Sequence, residues 1–179
     1  MLSEQPPHES DKALKRRIFN LLAEAAAEGD PYSHDGSFAR VLGGLTPGLR
    51  AMAATHWLDM SMSLDSLAWH FLNFGEKGLV AATEAGLKEL GLGQLSELFG
   101  EASRIMLPLL AEITDGDLLD DVLEQHDKAE TMDRLHDAAF DLIRDTSRPH
   151  FDDSTIYGAW LQYAREHPER VFGTAPSKQ

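Results

Sequence analysis

Apolar residues recur every three or four positions along most of this chain, which is the period of an amphipathic helix. Leu14, Ile18 and Leu21 show this spacing near the start, and Phe71 and Phe74 repeat it further on. No run alternates between β-branched and polar residues, and no Asn-Gly pair marks a hairpin turn. With 179 residues, the chain has the length of one ordinary domain. The sequence therefore predicts an all-α, single-domain multi-helix bundle of about eight helices.

Capping and helix-breaking residues divide this pattern into separate helices. Start signals stand at Ser10, Thr46–Pro47, Ser63 and Ser154, and stop signals stand at Gly29, Gly75, Gly91 and Pro108. Proline at the first helical position after a capping hydroxyl makes Thr46–Pro47 the clearest start. The last three predicted helices cover residues 117–128, 130–145 and 154–167. Polar composition with Pro or Gly predicts disordered tails at residues 1–12 and 173–179, around one helical domain over residues 13–172.

Composition excludes several classes of protein. The chain has no cysteine, so it holds no disulfide, no thiolate nucleophile and no Cys-ligated metal site. Sixteen basic residues against thirty acidic ones leave a net charge of −14. This charge argues against direct binding to nucleic acid or to an anionic membrane, both of which need an excess of cations. No apolar run approaches the roughly 20 residues of a bilayer span, and no signal peptide is visible, so we expect a cytoplasmic protein.

The negative charge is concentrated in about a quarter of the chain. Residues 112–153 contain fourteen acidic and four basic side chains. Within this segment, aspartates occur at every fourth position, which places a carboxylate about every 6 Å along one face of a helix. Met132, Leu135 and Ala139 fall on the opposite face, so the row should point into water. The nine residues predicted to form a partner-binding surface are Asp117, Asp120, Asp121, Glu124, Asp127, Asp133, Asp137, Asp141 and Asp145.

Two interpretations of this acidic surface stay open. Like charges four residues apart on a helix cost a few tenths of a kcal/mol per pair, and Arg134 with Glu130 and Arg144 with Asp141 can offset part of this cost. The surface can be a solvated helix face without a function. It can also present negative charge to a DNA-binding protein, since each strand of duplex DNA carries one charge per 3.4 Å of axis.

Histidines raise the alternative of an enzyme or a metal site. His126 with Glu130, and Asp133 with His136, place imidazole and carboxylate groups on neighbouring helical positions. A di-metal bundle needs two Glu-x-x-His motifs and further glutamates, and only one degenerate half is present. His56 and His70 lie among apolar residues, and a core imidazole with one hydrogen-bond partner explains them better than a catalytic base. We therefore predict no catalytic residue, no metal ligand and no cofactor.

Several short segments occur in a fixed order between residues 46 and 172. They are Leu58-Asp59, then Phe71 and Asn73, then Leu87-Lys88-Glu89-Leu90-Gly91, then residues 98–108, and finally Trp160 with Tyr163 and His167-Pro168. In these segments the chain resembles a bacterial family of unknown function that includes a neisserial DNA-mimic protein. Where that family has Asn-Gly-Gly-Phe, this chain has Leu64-Asp65-Ser66-Leu67, and Trp69 replaces a glutamine.

The resemblance implies an all-α, non-enzymatic protein, with a homodimer as one option, whose acidic face competes with DNA for a DNA-binding partner. The leading hypothesis is therefore an acidic module that binds a basic or DNA-binding protein. Two alternatives remain. One is a metal-dependent or acid–base enzyme that uses His126 and His136 or the region of His56 and His70. The other is an immunity or antitoxin protein, which would differ only in its target.

Overall fold

A computed structural model describes residues 9–113, 118–144 and 154–173, and ten helices lie within these ranges. They are α1 (Asp11–Ala26), α2 (Ser37–Gly44), α3 (Pro47–Leu64), α4 (Leu67–Phe74), α5 (Lys77–Glu89), α6 (Gly93–Leu110), α7 (Leu119–Gln125), α8 (Ala129–Ile143), α9 (Thr155–Glu166) and α10 (Pro168–Phe172). The prediction of an all-α fold is confirmed. These ranges hold two helices more than the predicted eight. One of the additional helices is α10, which begins after the helical conformation is interrupted at His167.

Helix α3 forms the centre of the bundle. It packs most extensively against α5 and also contacts α1, α2, α4, α9 and α10. Apolar and small residues occupy every side of this helix, as expected for a helix that is covered all round. Gly48 allows α9 and α10 to approach α3 closely, because a Cβ at this position would lie 2.7 Å from the Tyr163 ring and 2.8 Å from Val171.

Several predicted helix starts are confirmed. The hydroxyl of Ser10 accepts a hydrogen bond from Ala13 N at the start of α1, and that of Ser154 accepts one from Ile156 N at the start of α9. Each satisfies a backbone donor that the first turn of a helix leaves without a partner. Since α1 begins at Asp11, the last two residues of the predicted N-terminal tail are helical. Residues 1–8 and 174–179 lie outside the described residues.

Other start and stop predictions were wrong in detail. Ser63 does not cap α4; its hydroxyl donates to the Asp59 carbonyl within α3, and Ser66 caps α4 instead. Thr46 precedes α3 as predicted, but its hydroxyl donates to the Val171 carbonyl and so joins the start of α3 to α10. Pro108, which was expected to end or kink α6, does not end it, because the helix continues to Leu110.

Candidate functional site

Helix α8 separates its apolar and acidic residues onto opposite faces. Met132, Leu135, Ala139 and Ile143 are buried, against α6 and α4 among other helices. Asp133, Asp137 and Asp141 are all exposed. The predicted orientation of the acidic row is therefore what the structure shows.

Helix α7 repeats this division one element earlier. Leu119, Val122 and Leu123 are buried in α7. Between the two helices, Asp127 adopts a positive φ of 54°. Aspartate tolerates this left-handed conformation better than most residues, so the chain can turn directly from α7 into α8. The residues of the predicted surface that are exposed on the two helices and their link form what we call the acidic ridge: Asp120, Asp121, Glu124, Asp127, Asp133, Asp137 and Asp141.

Two predicted members of the surface, Asp117 and Asp145, lie outside the described residues. Within the described residues, α7 begins at Leu119 and α8 ends at Ile143, so both helices are shorter than predicted. Whether the ridge binds a partner stays a prediction.

The ridge carboxylates are not paired with cations of the described residues. In the part of the chain that the structure describes, no lysine or arginine forms an ion pair with any of them. The predicted pairing of Arg134 with Glu130 was wrong. Arg134 reaches across to Glu101 of α6 at 3.6 Å, because it lies on the flank of α8 that faces α6.

A groove lies between α6 and α8 on one flank of the ridge. Its volume is about 490 Å³, and Leu98, Ala138 and Leu142 are among its apolar lining residues. Glu97, Glu101 and Arg104 of α6 also line it, and Glu101 is the residue that pairs with Arg134.

The other flank of the ridge meets α4 through a histidine. The backbone N–H of Leu67, in the first turn of α4, donates to Nδ1 of His136 at 3.2 Å. His136 therefore satisfies one of the backbone donors at the start of α4. Its ring also packs against Phe140 with 5.9 Å between the centroids. This role was missed from the sequence, since Leu67 is 69 residues away and no local pattern links the two.

The two histidines expected in the core are there. The buried His70 forms a hydrogen bond of 3.0 Å between Nδ1 and the Ser61 hydroxyl. Burial lowers its pKa to about 3, and the Trp57 backbone offsets part of this effect. His56 forms one of 3.1 Å between Nδ1 and the Tyr157 hydroxyl, and burial again lowers its pKa.

The candidate metal residues are not brought together. His126 pairs with Glu112 at 3.0 Å, rather than with Glu130 as considered from the sequence, and His136 contacts α4. Among the described residues, no three histidine or acidic side chains form a group that could hold a metal ion.

A larger groove of about 890 Å³ runs along α9, away from the ridge. At one end, the Tyr163 hydroxyl donates to Glu89, which also pairs with Arg170 at 2.6 Å. Burial, together with Glu89, raises the pKa of Tyr163 to about 12. Tyr163 therefore stays protonated at neutral pH and acts as a structural donor that ties α9 to α5.

The structural role of one buried carboxylate was not predicted from the sequence. Asp59 of α3 is 2% exposed, and the Ser154 hydroxyl donates to it. The same hydroxyl caps α9, so Ser154 serves both helices. Its capping role was visible in the sequence, whereas the pairing with Asp59 joins residues 95 positions apart.

These features define an acidic, all-α, single-domain protein with an exposed ridge of carboxylates that pair with no cation of the described residues. Within the described residues, no helix is both long and apolar enough to cross a membrane. The model of the family described as DMP19-like protein matches residues 43–167, and the chain belongs to that family. No match was found among curated proteins or among solved structures.

Proposed function

We propose that this protein is a non-enzymatic binding module whose acidic ridge occupies the DNA-binding surface of a basic protein. The observation that carries the proposal is the ridge itself: seven exposed carboxylates on two consecutive helices and the link between them, without a cation of the described residues paired to them. Membership of the DMP19-like family supports it, since the chain resembles a family that includes a DNA mimic.

Electrostatics explains how such a ridge would act. Carboxylates spaced about 6 Å apart on α8 attract arginine and lysine side chains that otherwise contact phosphates. Complementary charge accelerates encounter and makes affinity depend on salt. A partner of this kind places the protein in the cytoplasm of a bacterial cell.

The test is elution of DNA-bound proteins by the purified protein. A bacterial lysate is passed over DNA-cellulose, and the column is washed with the protein at about 50 mM salt. We expect it to release a small set of DNA-binding proteins, which mass spectrometry identifies. Replacing Asp133, Asp137 and Asp141 with asparagine should reduce this release at least about fivefold, since each exposed ion pair contributes up to ~1 kcal/mol.

The matched control removes the same charge elsewhere. Glu24 on α1, Glu28 just after α1 and Glu169 on α10 are all exposed and can be replaced by glutamine. This variant should release the same proteins as the wild type. Failure of the wild type to release any DNA-binding protein, or equal release by the asparagine variant, would refute the proposal. Release of a toxin-like enzyme instead would favour the immunity alternative. Light scattering of the same samples tests the homodimer.

A further inference from the structure

Exposed hydrophobic side chains collect beside the acidic ridge. Within the described residues, the large exposed ones are Tyr32, Leu64, Trp69, Leu118 and Phe140. Leu118 directly precedes α7, Phe140 lies on α8, Trp69 lies on α4, and Leu64 is the last residue of α3. Four of the five therefore lie on or next to the ridge helices or α4, which packs against α8.

Phe140 belongs to the exposed face of α8. It follows Asp137 by three positions and precedes Asp141 directly, and its side chain is 38% exposed. Positions three apart on a helix are surface neighbours. The ring therefore lies beside Asp137, and Asp141 is the carboxylate one turn further along the same helix.

Trp69 lies in the first turn of α4, which is held against α8. The hydrogen bond from Leu67 to His136 joins the two helices, and the His136 ring packs on Phe140. Trp69 is also 38% exposed. Both aromatic residues are thus placed on rigid helices around one junction, so little conformational entropy is lost when a partner covers them.

The chain's own cations stack on other rings. Arg17 lies over Phe172 with its guanidinium carbon 3.7 Å from the ring centroid, and Lys15 lies over Tyr157. Among the described residues, no lysine or arginine stacks on Trp69 or Phe140. Both rings are therefore open to a cation supplied from outside.

We propose that Trp69 and Phe140 make this surface selective for arginine: the partner places guanidinium groups against these rings while pairing with Asp137 and Asp141. The inference rests on the proposed function and adds the chemistry of the partner. A guanidinium is planar and weakly hydrated, so it stacks on an aromatic face and binds a carboxylate at the same time. A lysine ammonium is a strongly hydrated point charge and gains less from the ring.

The experiment compares two labelled helical peptides that carry the same number of charges on one face, one with arginine and one with lysine. Fluorescence anisotropy measures their affinity at several salt concentrations. We expect the wild type to bind the arginine peptide about fivefold more tightly than the lysine peptide. Substituting Trp69→Leu and Phe140→Leu together should bring this ratio close to one and leave the salt dependence unchanged. Tyr32→Leu is the control, because Tyr32 is an exposed aromatic residue away from the ridge, and it should keep the ratio.

The results separate failure of this inference from failure of the proposed function. Equal affinity of the wild type for both peptides, or an unchanged ratio in the Trp69/Phe140 variant, would overturn arginine selectivity while the acidic ridge still binds. Weak binding of both peptides that does not respond to Asp133→Asn, Asp137→Asn and Asp141→Asn would overturn the proposed function, as would no binding at all. A wild-type dimer that the leucine variant converts to a monomer would show that the rings bind a second copy, and would also overturn the inference. Circular dichroism confirms that each variant is folded.

Discussion

Helices α3 and α8 use polar residues in opposite ways. In α3, eleven of eighteen residues are buried, and the buried polar ones have partners inside the protein. Thr55 accepts a hydrogen bond from the Trp160 ring at 3.0 Å, and Asp59 accepts one from Ser154. In α8, four of fifteen residues are buried, and the acidic ones face solvent. The comparison shows that stability and the proposed binding depend on different residues, so each can be changed separately.

The largest expected effect is on the central helix. Leu58 of α3 is completely buried, so Leu58→Ala leaves a cavity and should lower the free energy of unfolding by about 2–5 kcal/mol. The exposed Asp137→Ala should change it by no more than about 0.5 kcal/mol. Urea unfolding followed by circular dichroism measures both. Similar effects of the two substitutions would mean that α3 and α8 do not differ as described.

The second effect concerns pH and His70. Because burial lowers the pKa of His70 to about 3 from the ordinary 6.5, the unfolded chain binds a proton that the native protein does not. This contribution to stability is complete above pH 6.5 and is lost as pH falls towards 3. We expect the loss of this contribution to lower the free energy of unfolding by ~2 kcal/mol as the pH falls from 7 to 5.

His70→Gln removes the titrating group and should flatten this part of the pH dependence. His167→Gln replaces an exposed histidine and serves as the control. An equally steep loss of stability in the His70 variant would assign the effect to other groups.

The smallest effect is on the stability of the ridge itself. Replacing Asp133, Asp137 and Asp141 with asparagine removes repulsion between charges four residues apart. We expect the free energy of unfolding to rise by a few tenths of a kcal/mol at low salt, and less at high salt because the charges are screened. Thermal unfolding at two salt concentrations measures this. A clear loss of stability would indicate that the aspartates contribute to folding.

Whether a sequence-based prediction was correct depends on how far apart the interacting residues lie along the chain. The start of α1 at Ser10 and the apolar face of α8 were predicted correctly, because both depend on residues within a few positions. The cap of α4 was misplaced at Ser63, since Ser63 and Ser66 are both capping residues and only the packed length of α3 selects between them. Arg134 was assigned to Glu130 on its own helix, whereas the neighbouring α6 offers Glu101.

The sequence by itself determined the helical class, most helix positions and the line of aspartates on one side of α8, because a period of three to four residues is a local property. Only the tertiary structure decided which partners lie across the bundle. It brings Ser154 into hydrogen-bond contact with Asp59, 95 residues away along the chain. It likewise brings His136 into contact with Leu67 in the first turn of α4, 69 residues away. It also left Trp69 and Phe140 exposed on helices that meet at that junction. Such contacts follow from how helices pack around α3, and the spacing of residues along the chain does not contain that information.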